Sequence, residues 1–100
     1  MPFTPAVSEQ RFVLDQIVKI GELASTDRFA AASDDVVDAV LEGAGALAAG
    51  EWAPLNRLGD TEGAKWTPEG VKMPEGFGKA YQDYVEGGWG TIGVPEEFGG

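Results

Sequence analysis

The sequence contains no cysteine and no histidine, and only 7 of its 100 residues are basic. Without cysteine there is no thiol nucleophile, redox pair or thiolate zinc site, and no disulfide to brace a small fold. Without histidine there is no imidazole base, no Ser/His/Asp triad and no imidazole metal ligand. The scarcity of lysine and arginine, against 17 acidic residues and a net charge of −10, argues against DNA, RNA and anionic membranes as partners. Each half of the chain carries −5, so the acidity is not an appended tail. The opening Met-Pro-Phe-Thr-Pro lacks a basic start and an apolar run, unlike a secretory signal. No uninterrupted apolar stretch approaches the length of a bilayer span. The expectation is a soluble, cytoplasmic protein. A compact monomer of 10.5 kDa would expose about 5,400 Å².

What the chain does have is helical periodicity, followed by glycine. Four of its 15 glycines lie in the first fifty residues and eleven in the second. The fold class expected is all-α, three amphipathic helices with a short β-hairpin. The first helix is expected over residues 8–22, capped by Ser8, with Val13, Leu14, Ile17, Val18 and Ile20 on one arc. Arg11, Asp15, Lys19 and Glu22 lie opposite, and Arg11–Asp15 and Asp15–Lys19 are helical neighbours. Phe12 and Leu23 fall on the polar side, either as isolated exposed residues or as anchors for protein outside this chain.

Residues 24–32 are a connector, and Ser33 is expected to cap a second helix over 33–50. There Asp34 and Asp35 occupy the first turn, where the helix dipole favours anions. Asp34, Asp35, Asp38 and Glu42 share one arc, and Val37, Val40, Leu41, Ala44, Leu47 and Ala48 the other. Gly43 and Gly45 each cost such a helix about 1 kcal/mol relative to alanine, so packing must hold it. Pro54 ends the pattern at the latest. Residues 55–75 are expected to be extended. Lys65-Trp66 and Val71-Lys72 flank Thr-Pro-Glu-Gly there, a hairpin signal. A third helix is expected over 75–87, with Phe77, Ala80, Tyr81, Tyr84 and Val85 on one face and Gly87-Gly88 as its stop. The remaining tail is neither helix nor clear strand.

Several motifs invite chemistry and fail on context. Gly-Trp-Gly-Thr-Ile-Gly at 88–93 matches a dinucleotide pattern, but such a motif needs a strand before it and a helix after it. Here the order is reversed. Gly-Ala-Gly-Ala-Leu-Ala at 43–48 also matches, with Asp60 or Glu62 as the ribose acid, but it would bury Asp38 in a central strand. Residues 58–69 place Asp60, Glu62, Gly63 and Glu69 at calcium-loop positions, yet Leu58 stands where the first ligand belongs. Asp34, Asp35 and Asp38 could hold a hard cation, though a helix start explains them more simply. Trp52, Trp66 and Trp89 could stack on sugars, though tryptophans more often cover the edge of a small core.

One resemblance runs through the whole chain. Ala-Pro-Leu-Asn-Arg-Leu-Gly-Asp-Thr-Glu-Gly at 53–63 is its strongest stretch. It is joined in order by Arg-Phe-Val-Leu at 11–14, Gly-Phe-Gly-Lys-Ala-Tyr at 76–81, Val-Glu-Gly-Gly-Trp at 85–89 and Pro-Glu-Glu-Phe-Gly-Gly at 95–100. Together these resemble the start of the acyl-CoA dehydrogenases, in the longer subgroup with an extra N-terminal segment. The resemblance implies a flavoenzyme parent that holds FAD and removes hydrogens from the α and β carbons of an acyl-CoA. It further implies electron-transfer flavoprotein as acceptor and a fold of helical, β and four-helix domains. This chain matches only the first of these domains. The family's flavin-binding motifs and catalytic glutamate lie farther on, so no catalytic, cofactor-binding or metal residue carries over. Glu22, Glu42 and Glu86 have no claim to the role of base. The reading that follows is an N-terminal segment, inactive and without cofactor alone, partnered by the remainder of its parent chain and able to self-associate. The competing reading is a free-standing acidic helical interaction module.

Overall fold

The computed structural model describes residues 2–100. It is mostly helical, with one short two-stranded antiparallel hairpin. The chain divides into two compact units, one ending at Ala49 and the other spanning Gly50–Gly100.

In the first unit, α1 (Val7–Phe12) passes into a wide turn of π-helix over Val13–Val18. Lys19 then takes a left-handed φ of 58°, and α2 (Ile20–Ala24) resumes. The single helix expected over 8–22 is therefore interrupted. A left-handed non-glycine residue breaks the i→i−4 ladder, and the turn before it has already loosened to i→i+5 bonding. Ser8 is not the cap: Ala6 precedes the first helical residue, with no side-chain bond to the helix end. The Arg11–Asp15 pair does form, at 3.1 Å.

The connector runs through turns to α3 (Asp34–Leu47). Ser33 takes the extended backbone of an N-cap, although its side chain makes no capping bond. The start of α1 packs against the later part of α3, and the glycines explain how. A Cβ on Gly45 would lie 3.0 Å from Pro5 Cβ and 3.1 Å from its Cγ, so any larger residue would have to push the proline ring back by a few tenths of an ångström. At the other end, Arg11 reaches Asp34 and Asp38. The two helices are thus antiparallel.

The second expectation to be corrected concerns Pro54. Helical structure does not stop near Gly50. It continues through a second π segment, Ala48–Trp52, into α4 (Ala53–Glu62), with Pro54 in the first turn of α4. Proline is tolerated there because that N–H has no obligatory helical partner and its φ is already helical. Residues 55–62 are accordingly helix, not extended chain.

Strands β1 (Lys65–Thr67) and β2 (Gly70–Lys72) form the hairpin around the Thr-Pro-Glu-Gly turn, pairing Lys65 with Lys72, Trp66 with Val71 and Thr67 with Gly70. The last helix, α5 (Phe77–Glu86), begins two residues later than expected. Gly76, at φ 95°, supplies a left-handed turn that a helix cannot run through. Short 3₁₀ turns at Trp89–Thr91 and Glu96–Phe98 make up the tail.

Packing in the second unit joins α4 to the start of α5. A Cβ on Gly59 would sit 2.7 Å from Phe77 Cζ, so the ring occupies the space a side chain would need. The Trp52 indole N–H donates to the Ala80 carbonyl at 3.2 Å, and its ring tilts against Tyr84 at 5.4 Å.

Very little is sealed. The core apolar side chains are Val37, at 8% exposure, and Ala80, at 7%. The accessible surface is 7801 Å². Even two separately compact bodies of half the mass would together expose only about 6,500 Å². The apolar arc expected of the first helix is only partly covered: Leu14 and Ile20 are half-buried, but Ile17 is 68% exposed, and Val13 and Val18 are also exposed. Phe12, at 61%, and Leu23 are exposed beside them.

Candidate functional site

Two features of the first unit concentrate chemistry. One is ionic. Arg11 sits among three carboxylates, with Nε on Asp15 at 3.1 Å and on Asp38 at 3.6 Å, and Nη2 bonded to Asp34. Only 20% of its side chain is exposed. Desolvation alone would lower the guanidinium pKa. The hydrogen bond to Asp34 and the charges of Asp15, Asp38 and Asp34 outweigh it and raise the pKa above its ordinary value. Nη1 is buried without an acceptor. The acidic run at the start of α3 is therefore the seat of an arginine. Among the described residues, no group of three or more acidic side chains converges to hold a metal ion.

The other feature is a groove of about 500 Å³ where α1 meets α3, lined by Ala6, Glu9, Gln10, Val13, Leu14 and Leu41. It is open and predominantly apolar. Its one ionisable side chain, Glu9, has no second catalytic group opposite it. Such a groove suits an apolar side chain and not a substrate requiring proton transfer.

The tempting motifs resolve differently. Residues 43–47 lie in α3 and Ala48 opens the π segment that follows, so their amides are engaged in helical bonding and cannot cradle a phosphate. Residues 88–93 follow α5, with Gly88 left-handed at φ 76° and a 3₁₀ turn after it. Leu58, Asp60 and Glu62 belong to α4 while Lys65–Thr67 is a strand, which rules out a calcium-binding loop over 58–69. Trp52 is committed to Ala80 and Tyr84, and Trp89 packs near Gly87. Trp66 stands apart on the hairpin at 79% exposure. The tryptophans build no shared stacking platform. Glu22, Glu42 and Glu86 are exposed on helix surfaces.

In the second unit, Lys79 bonds Asp83 at 2.8 Å and Glu51 at 3.4 Å. Those hydrogen bonds, Asp83 first, raise its pKa above the ordinary 10.5. The side chain is 70% exposed, so the arrangement is a surface clasp between the π segment and α5.

The chain is similar over its whole length to an acyl-CoA dehydrogenase. That relative is 3-methylmercaptopropionyl-CoA dehydrogenase of Ruegeria pomeroyi, 30% identical over 100 residues, which are 100% of this chain and 17% of the relative. No family model matches the chain. Among the described residues, no helix is long and apolar enough to cross a membrane.

Proposed function

We propose that this chain is the N-terminal helical segment of an FAD-dependent acyl-CoA dehydrogenase, a scaffold for the reaction and not its site. The observation that carries the reading is the 30% identity over all 100 residues to a relative of which the chain spans 17%. The unsealed interior supports it, since 7801 Å² is exposed and exposed apolar residues extend from Phe3 to Phe98.

The glycine motifs do not fit the strand-to-helix mode of dinucleotide binding, which needs free backbone amides at that turn. Both glycine motifs lie elsewhere, one within α3 and one after α5. Flavin binding, the glutamate base and α,β-dehydrogenation of the acyl-CoA are therefore assigned to other parts of such an enzyme. The partners proposed are the remainder of that chain, its acyl-CoA substrate, an electron-transfer flavoprotein and a second copy of the segment. Its setting is cytoplasmic fatty acid metabolism.

The test is spectroscopic and kinetic. The purified chain should carry no flavin absorbance and should not reduce a dye in the presence of acyl-CoA. Stoichiometric flavin with acyl-CoA-dependent reduction would overturn the reading.

A further inference from the structure

We infer that the outer edge of β1 accepts an extended segment of a partner protein as a third strand, one in which acidic and apolar residues alternate. The sheet has only two strands, so each keeps one edge unpaired. Among the described residues, no backbone group of Lys65–Thr67 is hydrogen-bonded beyond the hairpin. Such an edge is a template for another strand, and two strands alone are marginal in water. The edge of β2 offers less, because Gly70 presents no side chain and its carbonyl already accepts the Thr67 hydroxyl.

Charge selects the incoming chain. The register sets Lys65 directly across from Lys72 on one face, and Trp66 across from Val71 on the other. All four are exposed, Trp66 at 79%. Like charges directly opposite one another are unfavourable. In a chain with 17 acidic residues, neither lysine has a carboxylate within ion-pair distance among the described residues. An acidic side chain arriving on the lysine face relieves that repulsion. Successive side chains of a strand point to opposite faces, so its sequence neighbour falls beside Trp66, where an apolar residue fits. The same lysines reject a second copy of the hairpin, whose strands would bring two more onto that face. The acidity of the rest of the chain is screened over about 8 Å at physiological salt, which leaves the local pair to decide.

This goes beyond the dehydrogenase reading and requires nothing of it.

Titration of the purified chain with a soluble synthetic peptide alternating glutamate and valine, followed amide by amide in NMR, tests it. Shifts are expected at Lys65–Thr67, and N-methylation of the peptide backbone should abolish them. A counterpart alternating lysine and valine should bind more weakly. Lys65→Glu should weaken binding of the glutamate peptide about two- to fivefold and strengthen that of the lysine peptide. Trp66→Ala should weaken the glutamate peptide about tenfold. The charge exchange decides the matter should Trp66→Ala fray the hairpin. Equal binding of the two peptides, binding undiminished by N-methylation, or shifts confined to other elements would overturn the inference. So would hairpin shifts that follow protein concentration without peptide, the mark of self-pairing. Flavin content and dye reduction, which test the dehydrogenase reading, are untouched by these outcomes.

Discussion

In the unit ending at Ala49 the most specific contacts are a guanidinium among three carboxylates and a proline ring on Gly45. In Gly50–Gly100 they are aromatic: Phe77 over Gly59, and Trp52 between the Ala80 carbonyl and the Tyr84 ring. The difference shows where each unit is incomplete. Charges hold α1 to α3 along one side and leave the apolar ridge of the π segment outward. Aromatic packing draws α4 and α5 together but leaves the hairpin bare, with Trp66 and Val71 exposed on one face. A two-stranded hairpin is marginal unless something packs on it. Both units are ordered around contacts that position helices without enclosing them.

The comparison can be broken at either end. Val40→Asp places a charge on the half-buried face of α3 and should cost the first unit about 2–3 kcal/mol, seen as lost helical circular dichroism. Asp38→Ala removes one exposed carboxylate of the Arg11 cluster and should cost less, about 0.5–1 kcal/mol. Equal effects would remove the assignment of faces. Gly59→Val should cost the second unit about 2 kcal/mol, because its Cβ meets the Phe77 ring. Residue-resolved amide exchange should show that loss in α4 and α5 and not in α1. Trp52→Phe keeps an aromatic ring but removes the indole N–H that the Ala80 carbonyl accepts in addition to its helical bond, for about 1 kcal/mol in urea unfolding.

The smallest expected effect is electrostatic. A folded-state pKa raised above the unfolded value gives stability that is complete below the unfolded value and is lost as pH rises through the folded one. For Lys79 that means full contribution below about pH 10.5 and loss in the alkaline range above it. Lys79→Met should flatten the alkaline decline of stability relative to the unaltered chain, with little change at neutral pH. An unchanged alkaline slope would show that the clasp to Asp83 and Glu51 contributes nothing.

Much of this architecture is legible in local chemistry. The Thr-Pro-Glu-Gly turn marks the hairpin, and Ser33 with two aspartates marks the start of α3. What is hidden has physical causes. A π turn has no hydrophobic period of its own, so Val13–Val18 reads as ordinary helix. The left-handed backbone at Lys19 carries no residue signal, since neither glycine nor asparagine is there. Pro54 reads as a stop because proline breaks helix interiors, whereas here it stands in a first turn. The exposure of Ile17 and Val18 is invisible to periodicity, which defines an apolar face but not whether anything covers it. For the site, absent cysteine and histidine restricted the chemistry, while the Arg11 cluster escaped notice beyond its Asp15 partner. Asp34 and Asp38 reach Arg11 only through tertiary packing.

Residue-by-residue amide exchange on the chain, diluted until it is monomeric, bears most directly on whether these helices close around an interior of their own. Weak protection throughout, strongest near Val37 and Ala80 and fading toward the ridge and the hairpin, is the outcome expected of a segment built to be covered. Slow, uniform protection across α1, α3, α4 and α5 in that monomer would contradict it.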